Sequence, residues 1–395
     1  MRTDNPDFRS RPATMTRVLV NMPSQHGGRP SGVALVAFRV IAGLLDRGNV
    51  AVVLRSPWTR AQLPETIRDR IAVVTVPRPR LMILDVLRQA VTVPALCRAE
   101  SIDVVLNADP YGAAFGGRAR VSVVHDLYFR TIPDCTGWRE ALTTDLIFRL
   151  VLGNSARVIA VSDTTRDSLG QFYPALRARV RTVPSAAMLD ASVESGVAPE
   201  AGRGAYVLAV GNATHNKNFA TLARAAAALS PTHPDLAIVH VGEDAQETIA
   251  AALAGAPVRL TRLSGIDEDR LAALYRGALC LCVPSFAEGF CLPVLEAQIL
   301  GCPVLCSDRS ATPEIAGDGA LTFDPGDPAA LAAALRRLLH EPGLRVDLIA
   351  RGHANARRYD WAETARRYEG MLFEALRETA RFIPAGEAAD AHPAP

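Results

Sequence analysis

The stretch Tyr206-Val-Leu-Ala-Val-Gly211-Asn212-Ala-Thr-His-Asn-Lys217-Asn218-Phe219 decides the fold. Five apolar residues make a short buried strand, Gly211 supplies a turn, and an alanine-rich amphipathic run follows as a helix. Strand, glycine turn and helix in that order form the repeating unit of open α/β sheets. The free N–H groups at such a helix start are where those sheets hold phosphate. Lys217 stands inside this unit, the one lysine of a 395-residue chain with 43 Lys and Arg in all. A bias toward arginine explains why lysine is scarce but not why one remains. A mobile ammonium and a planar guanidinium fork are not interchangeable, so Lys217 is read as a phosphate-binding side chain rather than a surface residue that drift has spared.

The same unit recurs on both sides. Strands are expected at Arg17–Asn21, Val50–Val53, Ile71–Val76, Val104–Leu106, Val121–Val124 and Val158–Val161, with helices over 31–47, 81–99, 138–153 and 163–171. The pattern restarts with strands at Tyr206–Val210, Ala237–Val241, 258–261, Leu279–Val283, Pro303–Ser307 and Ala320–Phe323. Its helices are expected over 218–229, 245–254, 268–277, 291–300, 328–340 and 344–358. Such alternation makes parallel sheets wrapped by helices, and a chain this long exceeds one core. The expected fold is α/β, with two Rossmann-like doubly wound domains, 15–189 and 205–360, facing each other across a cleft. The Ala/Gly/Ser/Glu-rich segment 190–204 reads as their linker. Residues 1–14 and 383–395 are expected to be disordered, and a last helix, Trp361–Thr379, could cap either domain.

Composition narrows the class. Apolar content of 49% with 21% charge suits an ordinary globular chain. Seven cysteines lack disulfide-like spacing and include no Cys-x-x-Cys pair, which argues for reduced thiols, a cytoplasmic setting and no zinc site. No apolar run approaches the ~20 residues that span a bilayer. Residues 1–200 carry 25 Arg against 18 acidic residues, and the remainder 18 basic against 23 acidic. The basic first half suits an anionic lipid surface or an acidic acceptor as well as a plain solvated face. Nucleic acid is disfavoured, since no basic helix interleaves with aromatics.

The densest motif is Tyr275-Arg-Gly-Ala-Leu-Cys-Leu-Cys-Val-Pro-Ser285-Phe-Ala-Glu288-Gly289-Phe290-Cys291-Leu292-Pro293-Val-Leu-Glu296. It reads as strand, loop and helix, with one carboxylate in the loop and one in the helix. Carboxylates accept paired hydrogen bonds from vicinal hydroxyls, the pattern that a ribose or hexose offers.

With these residues the chain resembles the family 4 glycosyltransferases, over roughly residues 16–380. The glutamate–seven–glutamate stretch carries the resemblance. Val-Gly-Asn-Ala-Thr-His-Asn-Lys-Asn, Leu-Tyr-Arg-Gly-Ala, Thr312-Pro-Glu-Ile-Ala-Gly317, Val123-Val-His125-Asp126-Leu-Tyr and Val158-Ile-Ala-Val-Ser162 support it. The resemblance implies the GT-B fold and transfer of a sugar from a nucleotide donor with retention of configuration. It implies that Glu296 binds the donor ribose and that Glu288 contacts the donor sugar and steadies charge at its anomeric carbon. Lys217 would neutralise the departing diphosphate, and His125 would face the sugar from the first domain. Gly32, after Ser31, would bring a helix start to phosphate or acceptor. Gly211, Asn212, Ser285, Gly289, Phe290, Cys291 and Leu292 complete the expected donor site. Gly27-Gly28 would lend flexibility to the preceding loop. The chain departs from the family pattern twice. No arginine adjoins Lys217, where Asn212, His215 and Asn216 stand instead, and Cys291 replaces a glycine.

Other features have simpler readings. Asp267-Glu-Asp269 has the spacing of a metal-binding pair but stands where acids cap a helix, so no essential metal and no cofactor beyond the nucleotide sugar is expected. Ser162 is read as a helix cap. The stretch Arg78–Arg88, apolar with basic flanks, could lie on a membrane, although packing on the sheet is preferred. A nucleotide-sugar epimerase and a pyridoxal-phosphate phosphorylase share the architecture but lack support in the motifs. The different-class alternative is a non-catalytic chain that binds a partner glycosyltransferase or a nucleotide sugar. Mannose and glucose are the first donor sugars to consider, with a carbohydrate or lipid-linked oligosaccharide as acceptor in cell-envelope or exopolysaccharide synthesis. Peripheral membrane contact would run through the first domain.

Overall fold

The computed structural model describes residues 15–25, 28, 30–77, 82–132, 136–192 and 205–381. The expected disordered ends, most of the linker, Gly27, and Arg78 to Leu81 lie outside the described residues. Strands β1 (Thr16–Asn21), β2 (Val50–Ser56), β3 (Ala72–Thr75), β4 (Val104–Asn107), β5 (Ala119–Val124), β6 (Arg157–Ala160) and β7 (Val180–Thr182) form one sheet. Their order is β3-β2-β1-β4-β5-β6-β7. A second sheet holds β8 (Tyr206–Val210), β9 (Ala237–Val241), β10 (Arg259–Leu263), β11 (Cys280–Val283), β12 (Val304–Ser307) and β13 (Ala320–Phe323). Its order is β10-β9-β8-β11-β12-β13. The neighbouring strands pair in parallel. The central strands are buried on both faces, which is why they read as unbroken apolar runs.

Each sheet reverses its order once, between β1 and β4 and between β8 and β11. Ligands of doubly wound sheets sit at such switch points, beyond the carboxyl ends of the strands. The loop after β1 leads to Ser31 and Gly32, the loop after β8 to Lys217 and the loop after β11 to Glu288. Topology therefore gathers the sequence motifs at two facing crevices.

The structure refines several expected elements. β7 was not expected; three residues on a sheet edge carry no periodicity. β10 runs to Leu263 rather than ending at 261. The helix expected over 245–254 shrinks to Thr248–Leu253, because Glu247 adopts a left-handed φ of 50° and Asp244 accepts from the Thr248 and Ile249 amides. Helix Met82–Ala99 packs on the first sheet through Val93, Leu96 and Cys97.

The last helix, Trp361–Arg381, returns to the first domain. It crosses helix Gly32–Arg47 so closely that a Cβ on Gly43 would stand 2.5 Å from that of Ala365. Glu369 accepts from Arg47 Nε at 2.8 Å and Asn49 Nδ2 at 3.0 Å, and Arg157 pairs with Glu374 and Glu378. The preceding helix, Leu344–Ala356, belongs to the second domain, where Asn355 donates to Gln298. The chain thus crosses between domains twice. Among the described residues no helix is long and apolar enough to cross a membrane.

Candidate active site

Local backbone geometry presents Lys217. Gly211 ends β8 at φ 121° and donates to the Val241 carbonyl, a conformation that favours glycine. One turn of 3-10 helix, His215–Lys217, follows, and Asn218 stops it at φ 50°. The buried Asn218 amide donates to the Pro284 and Pro325 carbonyls at 3.0 and 2.8 Å, and the Phe286 N–H donates to the Asn216 carbonyl. These bonds join the loop after β8 to the loop after β11. Lys217 Nζ consequently lies 2.7 Å from Glu288 Oε1.

Glu288 is held from several sides. Ser285 Oγ donates to Oε1 at 2.7 Å, and the Glu288 amide donates to Ser310 Oγ at 3.0 Å. From the first domain, Tyr128 Oη approaches Oε2 at 3.4 Å and accepts from the Gly289 N–H at 3.2 Å. Burial works against charge on Lys217, but Glu288 and Asp126 outweigh it and hold the ammonium above its ordinary value. Burial and the nearby Glu288 raise Asp126 to about 6.

Glu296 lies on helix Leu292–Ile299, buried, and accepts from the Tyr275 hydroxyl at 2.9 Å. Burial raises its carboxyl to about 7. Cys291, just before this helix, has φ 81° and ψ 69°. The cysteine thus adopts a left-handed conformation that favours glycine, at a cost in backbone strain.

A cleft of about 780 Å3 separates the domains, and His125, Lys217, Glu288, Phe290, Cys291 and Glu296 line it. Gly32, Gly211, Gly289 and Leu292 line it as well. His125 Nε2 lies 3.0 Å from the Ala108 carbonyl, which can only accept, so Nε2 carries a proton. Burial lowers this imidazole to about 4, leaving it neutral near pH 7. Ser31 caps the helix that begins at Gly32, accepting from the Ala34 N–H.

Two expected donor-site residues sit elsewhere. Ser285 lies beneath Glu288 as a supporting donor, and the exposed Asn212 accepts from the Glu243 amide. Among the described residues lining the cleft, Lys217 is the one cation; no arginine takes the vacant family position. Asp267 accepts from the Arg270 N–H as a helix cap and also reaches the cleft wall.

Several participants escaped the sequence reading. Tyr128 and Tyr275 lay inside quoted motifs, but a tyrosine in a loop or helix gives no sign of the carboxylate it will meet. Glu314, in Thr-Pro-Glu-Ile, accepts from the amides of Asp163 and Thr164 at 2.7 and 2.9 Å and so caps helix Asp163–Phe172 from the opposite domain. Ser162 caps that helix as expected, and its hydroxyl also donates to the Gly289 carbonyl at 2.7 Å.

Comparison with known proteins agrees with this architecture. Residues 30–190 match the model described as Glycosyltransferase Family 4, and residues 194–355 match Glycosyl transferases group 1. The O-antigen chain mannosyltransferase B of Escherichia coli is 43% identical over 95 residues, 24% of this chain and 25% of that protein. A D-inositol 3-phosphate glycosyltransferase of Acidothermus cellulolyticus is 32% identical over 258 residues, 58% of this chain and 57% of its own length. The matched region thus spans from a quarter to a little over half of these relatives. Sucrose-phosphate synthase of Thermosynechococcus elongatus superposes with a TM-score of 0.72 at 19% identity, covering 92% of this chain and 99% of its own. HepE of Anabaena, solved with UDP and glucose, superposes with a TM-score of 0.70 at 15% identity over 91% of this chain and 100% of its own. At such identities the structures establish a shared fold. The two halves match in sequence as well, each to its own model and in the same order, and the chain belongs to the family 4 glycosyltransferases of the GT-B fold.

Proposed function

We propose that the chain transfers a hexose, mannose or glucose, from a nucleoside diphosphate sugar to an acceptor hydroxyl with retention of anomeric configuration. The observation that carries this reading is the Lys217–Glu288 pair, 2.7 Å apart, in one cleft with the buried Glu296. Lys217 supplies the mobile cation that a departing diphosphate needs. Glu288 Oε1 is occupied by Lys217 and Ser285, which fixes the carboxylate before substrate arrives. The carboxylate then accepts sugar hydroxyls and offsets charge at the anomeric carbon. Glu296, steadied by Tyr275, takes the ribose hydroxyls. His125, with Nε2 bound to Ala108, offers Nδ1 as an acceptor toward the sugar.

The bond from anomeric carbon to phosphate oxygen breaks with its electron pair going to the diphosphate. The acceptor oxygen bonds to the same face, and its proton passes to the leaving phosphate oxygen. No metal is required in this scheme, because Lys217 carries the neutralisation and Asp267 serves as a cap. The names of the relatives favour mannose, and those of the solved neighbours favour glucose with UDP. A carbohydrate or lipid-linked acceptor in envelope or exopolysaccharide synthesis fits the mannosyltransferase relatives.

Thermal unfolding of wild type and Lys217→Ala, with UDP, GDP, ADP and dTDP and their sugars, tests the proposal. Stabilisation by one nucleotide that weakens in the variant supports it and names the donor class. No stabilisation by any of them overturns it in favour of a non-catalytic partner. Trapping a covalent glycosyl-enzyme would overturn the same-face displacement.

A further inference from the structure

One carboxylate of the cleft takes no part in holding the donor. Asp126 follows His125 just beyond the carboxyl end of β5 and lines the first-domain wall of the cleft, beside Tyr128. It stands close to the second domain: a Cβ on Gly289 would lie 3.2 Å from the Cβ of Asp126. Its Oδ1 accepts from the Tyr128 amide at 3.3 Å. Among the described residues no hydrogen bond reaches Oδ2, and the side chain is only half-buried, so this oxygen is open to an incoming group. The bond to Tyr128 is a local turn that asparagine makes equally well. It gives no reason for a charge at this position.

The charge is not suited to the donor. Burial raises the Asp126 carboxyl to about 6; the Tyr128 amide and Lys217 oppose the rise, and Glu288 adds to it. The Lys217 ammonium feels the field of both acids, with Glu288 Oε1 2.7 Å away. A diphosphate arriving at Lys217 meets Asp126 as a second negative charge. What a carboxylate with one open oxygen does suit is an uncharged hydrogen-bond donor, and carbohydrate hydroxyls are that group.

The reaction geometry places such hydroxyls here. In a same-face displacement the acceptor oxygen enters on the side from which the diphosphate leaves, so the acceptor ring lies near Lys217. The second domain commits Lys217, Glu288 and Glu296 to the donor, which leaves the first-domain wall to the acceptor. The reacting hydroxyl sends its proton to the leaving phosphate oxygen. A hydroxyl vicinal to it is then free to donate to Asp126.

We propose that Asp126 is an acceptor-binding residue, taking the hydroxyl next to the reacting one on an uncharged pyranose with a vicinal diol. The proposal rests on the transfer reading above. Asp126 takes no proton and forms no covalent bond; it fixes the ring so that the reacting oxygen faces the anomeric carbon.

Asp126→Asn keeps the turn with Tyr128 and removes the charge. The donor is the nucleotide sugar that most stabilises wild type, and the acceptors are the methyl α-pyranosides of mannose and glucose. Release of nucleoside diphosphate is followed with acceptor and in water alone. Acceptor-dependent release should fall about 10- to 100-fold in the variant, the scale of one hydrogen bond to a charged group. Hydrolysis by water should persist at the wild-type rate, because water brings no vicinal hydroxyl. Nucleoside diphosphate should bind the variant as tightly as wild type or more tightly, since Lys217 then has one acid fewer to balance. Among the monodeoxy derivatives of the accepted glycoside, one should lose the same factor with wild type and nothing further with the variant. Transfer equal to wild type overturns the proposal. So do transfer and hydrolysis reduced alike, weaker nucleotide binding in the variant, or a wild type that hydrolyses the donor but accepts neither glycoside. A wild type that binds no nucleotide is instead the failure of the transfer reading itself.

Discussion

Gly289 and His125 meet across the interdomain cleft: a Cβ on Gly289 would stand 1.6 Å from the His125 carbonyl oxygen. The domains can approach this far only because residue 289 has no side chain. Around the contact, Ser162 donates to the Gly289 carbonyl and Tyr128 accepts from its N–H.

Gly289→Ala should therefore hold the domains apart while each stays folded. Small-angle scattering should show a larger radius of gyration. Turnover should fall about 100-fold, the scale expected when reacting groups are displaced by an ångström. Wild-type turnover in this variant would mean that the closed arrangement is not the working one.

Lys217→Ala removes the one cation of the described cleft lining and leaves Glu288 with Ser285 and Tyr128. A loss of about 100- to 1000-fold in kcat is expected, comparable to deleting one preorganised electrostatic contact. Lys217→Arg should not restore it, because a planar fork cannot replace a compact ammonium packed between Gly211 and Glu288. Steady-state kinetics of the two variants would decide.

The buried Glu296 carboxyl, raised from 4.5 to about 7, makes two pH-dependent expectations. Its charged form accepts both ribose hydroxyls, so nucleotide affinity should tighten as pH rises through 7, and Glu296→Gln should flatten that dependence. For folding, the unfolded carboxyl ionises near 4.5 while the folded one keeps its proton, so its contribution is full below 4.5 and is lost as pH rises through 7. Glu296→Gln should accordingly gain stability relative to wild type more at pH 8 than at pH 5. His125 acts in the opposite sense: its pKa falls from 6.5 to about 4 on folding, so stability drops as pH falls between those values. Calorimetry and nucleotide titration across this range would test both.

Cys291 occupies φ 81° with a buried side chain. Cys291→Gly and Cys291→Ala both delete the sulfur, but the glycine variant also relieves the left-handed strain. It should be more stable than the alanine variant by about 1 kcal/mol, read from denaturant midpoints.

The elements that could be read in advance are those whose signal is local. Tyr206–Val210 and Cys280–Val283 announce themselves as buried strands, and the glycine after β8 and the loop Pro284–Gly289 announce the turns that carry Lys217 and Glu288. β7 was invisible because Val-Arg-Thr is too short for a pattern. The resemblance implies donor contacts for Ser285 and Asn212; the fold sets the Ser285 hydroxyl on Glu288 Oε1 and the Asn212 side chain on the Glu243 amide, partners that no local pattern announces.

Sequence alone determined the two doubly wound domains, the carboxylate pair and the lysine, because hydrophobic period, turn chemistry and residue spacing act over a few residues at a time. Tertiary structure alone decided which groups meet: Tyr128 with Glu288 over 160 positions, Glu314 with the start of helix Asp163–Phe172 over 150, and Gly289 against His125. A side chain's chemistry is fixed by its type, but its partner is fixed by how two sheets, each folded on local rules, come to lie against each other.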